Sequence, residues 1–522
     1  MNSTRSRLGW FVLALLVAGF PAAVGAQEAT HPPEGKSAEP SEKKEPPKEE
    51  SSVTEHTIKI GGQTVNYTAT FGSILIRDEK DEPSALIFYT AYTRNDAKDM
   101  SQRPITFAYN GGPGSASAWL HMGAFGPRRI VTDDPRYTPP PPFRLEDNTY
   151  SLIDKTDIVF IDPVGTGYSR AVGKSTDKEF WGIDQDAHSL AQMIRIYVSR
   201  NNRWNSPKYL LGESYGTFRS AVLGNYLQEH DGMQLNGIVL ISNVLDLTTL
   251  NFGLGDDRCY VLYLPSYAST AWYQKMIKNP PSDVHAFIDQ ARKFAAGEYA
   301  AALIKGSELS DAEKADVAKK LSAFTGLSED YLIKANLRVN LGQFREELKR
   351  AQGETTGRLD ARYTGPTYDL LGEYAVYDPQ SAAITGPFTA AINDYIREEL
   401  KYKTDRNYNL LGGEPGRHWD WKRMQPGFRG FFPGGPNVMG DLAEALLANP
   451  HLQVQVENGI YDLATPFFAT EYTMEHLGLP AKLESHIHEE YYDAGHMMYL
   501  HEASLAKLKE NIAKFMDETS HH

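Results

Sequence analysis

A serine set between two glycines is the residue whose surroundings most clearly predict chemistry. Residues 212–216 read Gly-Glu-Ser-Tyr-Gly, with Ser214 at the centre. A short apolar run beginning at Lys208 precedes this motif, and the apolar residues after it, among them Phe218 and Val222, recur at helical spacing. A strand, a tight turn and a helix in this order predict a nucleophile elbow, which exposes the serine hydroxyl. The helix N-terminus favours the negative charge that develops during acyl transfer.

A serine hydroxyl is a poor nucleophile until a base removes its proton, and the base needs a partner that holds its tautomer. Enzymes with a serine on such an elbow carry these groups in the order Ser, acid, His. Asp462 and His496 each follow an apolar strand at a glycine-containing loop. Asp162 also ends a strand, but it precedes the serine and is therefore the weaker candidate for the acid. We predict a catalytic triad of Ser214, Asp462 and His496.

The oxyanion formed during acyl transfer needs two backbone donors. One is predicted to be the amide of Tyr215, the residue after the nucleophile. The other is predicted to come from the loop Asn110–Gly114, whose sequence is Asn-Gly-Gly-Pro-Gly. Glycines let a backbone approach a substrate closely. The alternative is that these glycines serve only the shape of the turn.

The elements that must position these residues alternate between strand and helix. Residues 54–94 show short β patterns separated by glycine turns, which predicts an antiparallel edge of a larger sheet. Further on, apolar strand runs alternate with helical patterns, and this alternation predicts a parallel sheet covered on both faces. The runs are 105–109, 157–162, the run before the elbow, 237–242 and, nearer the C-terminus, 452–456 and 485–492.

The alternation stops between about residues 250 and 440, where helical spacing dominates. Ser310 and Glu313 form a capping-box start for one of these helices. We predict a helical cap at 250–440 inserted between two parts of an α/β core, 53–249 and 441–522. The aromatic stretches 417–421 and 428–433 either line a pocket in this cap or pack in its core.

Composition limits the classes of function that the chain can serve. It has 522 residues, a formal net charge of −14 and a pI near 5.6, which argues against general nucleic-acid binding. Its single cysteine, Cys259, cannot form an internal disulfide and is expected to be a small buried side chain. No metal or organic cofactor is predicted. His486 and His488 have metal-like spacing, but alternation within a strand explains them better.

The N-terminus predicts export. Arg5 and Arg7 precede an apolar run at 8–24, and small residues follow it, as in a secretory signal peptide ending at residue 26. A membrane anchor is the alternative, although the run is short and is interrupted by Gly19 and Pro21. Residues 27–52 are rich in Pro, Glu, Lys and Ser, and they predict a disordered linker. Export without disulfides indicates a bacterial periplasmic or extracellular protein.

Five motifs occur in order along the chain, at 110–115, 162–169, 212–216, 461–462 and 495–497. They resemble the serine carboxypeptidase family, and the resemblance extends over the chain from about residue 55, except for the helical insertion. The resemblance implies an α/β-hydrolase fold with a mostly parallel central sheet, N-terminal antiparallel strands and a helical cap. It also implies removal of single residues from peptide C-termini, with Ser214, Asp462 and His496 as the triad and Gly112 with Tyr215 as oxyanion donors.

The resemblance further implies how the terminal carboxylate of a peptide is recognised. Asn110 and Gly111 of the glycine loop and Glu213 before the nucleophile match the family's pattern. The family's second glutamate, however, aligns with Ala124. Two carboxyl groups that share a proton can bind a carboxylate at acidic pH, whereas a lone ionised glutamate repels one.

Two arginines close to Ala124 suggest a replacement for the missing carboxyl group. We hypothesise that Arg128 or Arg129 supplies a positive contact to the substrate's carboxylate. The pH optimum would then lie nearer neutral than the acidic optimum of the family.

A weakened carboxylate contact leaves alternatives to a carboxypeptidase acting on peptides. An esterase, an acyltransferase or a different serine peptidase would use the same triad without requiring a free C-terminus. A protein that only binds its ligand is a further alternative, but an intact set of Ser, Asp and His argues against it.

Overall fold

The computed structural model describes residues 47–426 and 435–520. The predicted signal peptide, residues 27–46 of the predicted linker and the stretch 428–433 lie outside these residues. One boundary of the predicted linker is wrong: Ser51 and Ser52 already belong to the first strand, and the backbone of Glu50 accepts a hydrogen bond of 2.8 Å from the amide of Ser73.

A ten-stranded sheet forms the centre of the fold, in the order β1-β2-β3-β7-β4-β9-β10-β13-β14, with β8 paired to β3. Neighbours from β7 to β14 are parallel, whereas β1, β2 and β3 form the predicted antiparallel edge. Two small hairpins, β5 with β6 and β11 with β12, stand apart. The strands are β1 Ser51–Ile60, β2 Gln63–Arg77, β3 Pro83–Arg94, β4 Ile105–Tyr109, β5 Arg128–Ile130, β6 Leu145–Asp147, β7 Asp157–Ile161, β8 Arg170–Ala171, β9 Lys208–Glu213, β10 Gly237–Ile241, β11 Glu354–Thr356, β12 Thr364–Pro366, β13 Gln453–Gly459 and β14 Ile487–Tyr492.

The helices cover both faces of this sheet and fill the interval between β10 and β13. They are α1 Ile183–Arg200, α2 Tyr215–Glu229, α3 Arg258–Tyr273, α4 Val284–Phe294, α5 Ala300–Lys305, α6 Asp311–Thr325, α7 Glu329–Lys334, α8 Leu341–Glu347, α9 Pro379–Asp394, α10 Gly413–His418, α11 Met439–Ala448, α12 Phe467–Glu475, α13 Ala481–Glu484 and α14 Glu502–Thr519. Within the described residues, no helix is long and apolar enough to cross a membrane.

Alternation along the central strands explains why both faces of the sheet are covered. Every residue of β9 and β10 is buried. Leu210 and Leu240 belong to the hydrophobic cluster on one face, whereas Leu211 and Val239 belong to the cluster on the other. Successive side chains of a strand point to opposite faces, so a continuous apolar run needs packing on both sides. These faces and the strand order give the α/β-hydrolase fold that the resemblance implied.

The segment between β10 and β13 is largely helical, with the β11–β12 hairpin as an addition that the sequence patterns did not indicate. Helix α6 begins with the capping box predicted for Ser310 and Glu313, in which each side chain bonds the backbone of the other residue. Helix α4 buries Val284, Phe287 and Ile288 on one face. The limits of a separate cap, 250–440, remain a prediction.

A buried ionic cluster holds the N-terminal ends of the parallel strands together. Asp157, the first residue of β7, accepts hydrogen bonds from Arg103 at 3.1 Å and from Arg203 at 2.5 Å, and all three side chains are buried. Removing one partner from a buried ion pair leaves an uncompensated charge, which is strongly destabilising.

We predict that Asp157→Ala lowers the free energy of unfolding by about 3–5 kcal/mol, because two buried guanidinium groups lose their carboxylate. Urea unfolding of the purified protein measures this change. Asp96→Ala is the matched control, since Asp96 pairs with Arg94 but its side chain is 59% exposed. Equal stability of the Asp157 variant and the wild type would contradict the prediction.

Candidate active site

The predicted elbow joins β9 to α2. Ser214 lies between the end of β9 at Glu213 and the start of α2 at Tyr215, and its backbone has φ 59° and ψ −130°. Positive φ is costly for a residue other than glycine and is concentrated at functional sites. The turn needs small neighbours: a Cβ atom on Gly212 would lie 2.2 Å from the carbonyl oxygen of Gly216. The amide of Ser214 donates to the carbonyl of Ile241 on β10 at 2.9 Å, which anchors the turn to the sheet.

Asp462 and His496 form a hydrogen-bonded pair in the loops after β13 and β14. The Nδ1 atom of His496 lies 2.7 Å from Oδ2 of Asp462. The other carboxylate oxygen accepts hydrogen bonds from the amides of Ala464 at 2.7 Å and Thr465 at 3.0 Å, and the Thr465 hydroxyl donates to Oδ2 at 2.8 Å. These donors hold the carboxylate in one orientation. A carboxylate on Nδ1 leaves Nε2 as the nitrogen that can accept a proton.

The imidazole of His496 faces the elbow. Its Nε2 atom lies 3.8 Å from Oε1 of Glu213, the residue directly before Ser214. Burial disfavours the charged imidazolium, but the carboxylates of Asp462 and Glu213 outweigh burial, and the pKa of His496 is raised above its usual value. A raised pKa strengthens the imidazole as a base once it is neutral.

Glu213 is buried among polar side chains of two segments, one after β4 and one after β14. Its Oε2 atom accepts hydrogen bonds from the amide group of Asn110 and, at 3.1 Å, from the hydroxyl of Tyr499. Burial raises the pKa of Glu213 to about 7, because a carboxylate loses its hydration there. Glu213 therefore carries a proton in mildly acidic solution and loses it near neutral pH.

The glycine loop after β4 lies directly against the elbow. A Cβ atom on Gly111 would be 2.4 Å from the amide nitrogen of Tyr215, so a larger residue would collide with the elbow. Gly112 has φ +108°, a conformation that favours glycine. Within the described residues, the amides of Gly112 and Tyr215 donate no hydrogen bond to another protein atom. The two predicted oxyanion donors are thus available at one end of the sheet.

The family profile of the serine carboxypeptidases matches residues 63–337. This range contains the elbow with Ser214 and the glycine loop that lies against it. It extends over more than half of the chain. The chain belongs to the serine carboxypeptidase family.

Two curated carboxypeptidases are similar to part of this chain. The pheromone-processing carboxypeptidase KEX1 of Yarrowia lipolytica is 27% identical over 187 residues, which is 35% of this chain and 27% of that protein. The retinoid-inducible serine carboxypeptidase of Rattus norvegicus is 25% identical over 156 residues, 29% of this chain and 31% of that protein. The chain thus spans about a quarter to a third of the curated relatives that it matches.

One solved structure shows the same fold over a much longer range. The prohormone-processing carboxypeptidase KEX1(delta)p of Saccharomyces cerevisiae matches with a TM-score of 0.55 and 16% identity, covering 87% of this chain and 92% of that one. At this identity the likeness concerns the fold alone.

The hypothesis that Arg128 or Arg129 approaches the carboxylate site is wrong. Arg128 pairs with Asp147 at 2.7 Å and Glu399 at 3.2 Å, and Arg129 pairs with Glu146 at 2.6 Å. Both arginines belong to β5, whose hairpin partner β6 supplies two of these acids. The charges that act on Glu213 come instead from His496 and Asp462. Ala124 is fully buried and offers no polar side chain, as the sequence indicated.

Among the described residues, the hydrogen bonds of Asp162 and His488 lie outside the group of Asp462, His496 and Glu213. Asp162 accepts hydrogen bonds from the amide of Ser117 at 2.8 Å and the hydroxyl of Tyr408 at 2.9 Å, and burial raises its pKa to about 6. His486 precedes β14, and His488 lies on it with its ring 3.3 Å from the Gln453 side chain. Among the described residues, no group of His, Cys, Asp and Glu could hold a metal ion.

The aromatic stretch 417–421 reaches the site. The rings of Trp419 and Trp421 contact Tyr215 edge-on, with centroids 5.3 and 5.9 Å from it. Trp419 is buried and Trp421 is 37% exposed, so the stretch both packs in the core and borders the elbow. The second stretch, 428–433, lies outside the described residues.

A buried arginine that the sequence analysis missed holds the glycine loop and the elbow together. Arg219 of α2 donates to Asp186 of α1 at 2.5 Å and to the backbone carbonyl of Asn110 at 2.7 Å. Its guanidinium also lies over the ring of Tyr215, 5.4 Å from the centroid. Position 219 lies on the buried side of the elbow helix α2. A charged residue at such a position was the sequence signal that could have pointed to Arg219.

A segment that follows β11 connects the loops of the acid and the base, which the sequence patterns did not indicate. The amide of His496 donates to the carbonyl of Leu359 at 2.7 Å, and the amide of Leu463 donates to the carbonyl of Arg358 at 3.0 Å. The amide of Gly495 donates to the side chain of Asp360, also at 3.0 Å. This segment is therefore part of the support of the site.

We predict that Arg219→Met destabilises the protein by about 3–5 kcal/mol and lowers its activity, because Asp186 is left buried without a cation and the carbonyl of Asn110 loses its donor. Thermal unfolding and kcat/KM measure the two effects. Arg219→Met combined with Asp186→Asn should recover stability but not activity, since the loop still lacks its donor. Recovery of both would show that the arginine serves folding alone.

Proposed function

We propose that this protein is a serine carboxypeptidase that removes C-terminal residues from peptides through an acyl-enzyme intermediate. The observation that carries the proposal is the buried group of Asp462, His496 and Glu213 beside the serine of the elbow. An elbow with an acid and a base supports acyl transfer in general. A protonated carboxyl group next to the nucleophile supports recognition of a free C-terminus.

The proposed reaction begins with proton transfer from the hydroxyl of Ser214 to Nε2 of His496. The serine oxygen attacks the carbonyl carbon of the last peptide bond, and the amides of Gly112 and Tyr215 stabilise the resulting oxyanion. His496 then gives the proton to the leaving amine, the C–N bond breaks and the C-terminal residue departs. Water, activated by His496, adds to the acyl-enzyme and releases the shortened peptide.

The substrate's terminal carboxylate is proposed to bind at Asn110, Gly111 and Glu213. Neutral Glu213 can donate its proton to a carboxylate, whereas ionised Glu213 repels it. Burial raises the pKa of Glu213 to about 7, so the donor form extends to nearly neutral pH. The raised pKa of Glu213, and not a nearby arginine, is therefore the proposed reason for a pH optimum above the acidic one of the family.

The second candidate function is an esterase, acyltransferase or other serine peptidase on the same triad. Ala124 favours this candidate, because a single carboxyl group gives a weaker hold on a free C-terminus than two. The candidates differ in one property, which is whether the substrate needs a free carboxylate. Peptides are the proposed substrates in the leading case, and neither candidate needs a cofactor.

We also infer that the protein is exported and that it belongs to a bacterial, secreted branch of the family. The support is the charged and apolar pattern of residues 1–26 and the single cysteine, which is buried and free. Burial raises the pKa of the Cys259 thiol to about 11, so it stays protonated and unreactive. N-terminal sequencing of protein recovered outside the bacterial cytoplasm tests this, and an intact Met1 there would contradict it.

We predict that an N-blocked dipeptide with a free C-terminus is cleaved at least tenfold more efficiently than its amide at pH 6, because only the free acid engages Glu213. Liberated amino acid or amide is measured by chromatography. Ser214→Ala should reduce the rate by roughly 10⁴–10⁶-fold. Ser199→Ala, a substitution far from the elbow on α1, is the control. Equal cleavage of amide and acid would favour the second candidate.

We predict a bell-shaped dependence of kcat/KM on pH for the free acid. Activity rises with pH as His496 becomes neutral, and it falls above about pH 7 as Glu213 ionises and repels the substrate. An amide substrate should lack the alkaline decline, because it carries no carboxylate. Initial rates from pH 4 to pH 9 measure both profiles. A matching alkaline decline for the amide would exclude Glu213 as its cause.

A further inference from the structure

Tyr499 is a polar residue of the site to which the motifs assigned no role. It lies three residues after His496, and its side chain is completely buried. Its hydroxyl donates to Oε2 of Glu213 at 3.1 Å. The hydroxyl therefore acts on the carboxyl group that is proposed to bind the substrate's C-terminus.

The ring of Tyr499 packs against the short helical segment Leu120–Phe125, where the resemblance expected the second glutamate. A Cβ atom on Gly123 would lie 2.9 Å from the tyrosine ring, and Ala124 is the next residue. The glycine makes room for the ring, and the alanine leaves no carboxyl group to compete for Glu213. Gly123 and the ring of Tyr499 thus fit closely together.

The hydrogen bonds of Glu213 leave one oxygen for the substrate. Oε2 accepts from Asn110 and from Tyr499, while Oε1 faces Nε2 of His496 at 3.8 Å. With Oε2 occupied as an acceptor, the proton of neutral Glu213 resides on Oε1. Among the described residues, the ionisable groups that act on Glu213 include His496, Tyr499 and Asp462.

We propose that Tyr499 takes the place of the missing second carboxyl group, and that its hydroxyl holds Glu213 with the proton directed at the substrate's carboxylate. This inference rests on the proposed function. Tyr499 acts through Glu213 and is a positioning residue.

A tyrosine differs from a carboxyl group in how its hydrogen bond responds to pH. Two carboxyl groups bind a carboxylate only while they hold protons, so both lose this ability as pH rises. Burial raises the pKa of Tyr499 well above its usual value, so its hydroxyl remains a donor across the working range. The pH dependence of carboxylate binding then resides in Glu213 alone.

Tyr499→Phe tests the proposal, because it keeps the packed ring and removes only the hydroxyl. We expect KM for the free-acid dipeptide to rise about tenfold, with kcat changed less than about twofold. The alkaline decline should move up by about one pH unit, since the hydroxyl no longer stabilises ionised Glu213. Cleavage of the amide should change less than about twofold.

Three comparisons keep the outcome interpretable. Tyr395→Phe removes another buried hydroxyl, which bonds Tyr92 at 2.8 Å, and should leave the pH profile unchanged. Glu213→Gln should abolish the alkaline decline, and adding Tyr499→Phe to it should then produce no further shift. Thermal unfolding of each variant reports whether it is folded.

The proposal is overturned if Tyr499→Phe is folded and keeps the wild-type KM and pH profile for the free acid. It is also overturned if Tyr499→Phe weakens cleavage of acid and amide equally, because the tyrosine would then support the triad and not the carboxylate site. Failure of the proposed function gives a different result, in which the wild type itself does not prefer the free acid.

Discussion

The burial of three ionisable side chains at one end of the central sheet is the constraint on which the site depends. Asp462, His496 and Glu213 are each at most 3% exposed. Burying a charged group costs free energy unless hydrogen bonds and opposite charges replace the water that hydrated it. The surrounding loops supply those partners, and each loop follows a strand of the parallel sheet. The strand order of the sheet therefore determines which groups compensate the buried charges of the site.

Residues outside the predicted catalytic group also hold these charged side chains in place. Thr465 holds the carboxylate of Asp462, and Arg219 joins the glycine loop to the elbow helix. The carbonyls of Arg358 and Leu359 hold the loops of the acid and the base. That segment lies between β11 and β12, in the interval predicted as a cap. A change in this interval would reach the loops of Asp462 and His496 through backbone hydrogen bonds.

The surroundings of Glu213 differ from those that the family resemblance implies. A pair of glutamates would share a proton, whereas here a tyrosine hydroxyl and an asparagine amide occupy one oxygen of Glu213. Burial still raises the pKa of Glu213 to about 7, so a neutral carboxyl group does not require a second one beside it. The same residue lies 3.8 Å from Nε2 of His496, and its charge contributes to the raised pKa of that imidazole.

The sequence by itself determined the parts that depend on local order. The elbow around Ser214, the strand runs and the placement of Asp462 and His496 after strands all follow from spacing along the chain. It also revealed the absence of a carboxyl group at Ala124. Only the tertiary structure decided which side chains lie against Glu213: Arg128 is bound to acids of its own, whereas the hydroxyl of Tyr499 reaches Glu213. A hydrogen bond between residues 286 positions apart leaves no periodic signal, because the fold brings the partners together.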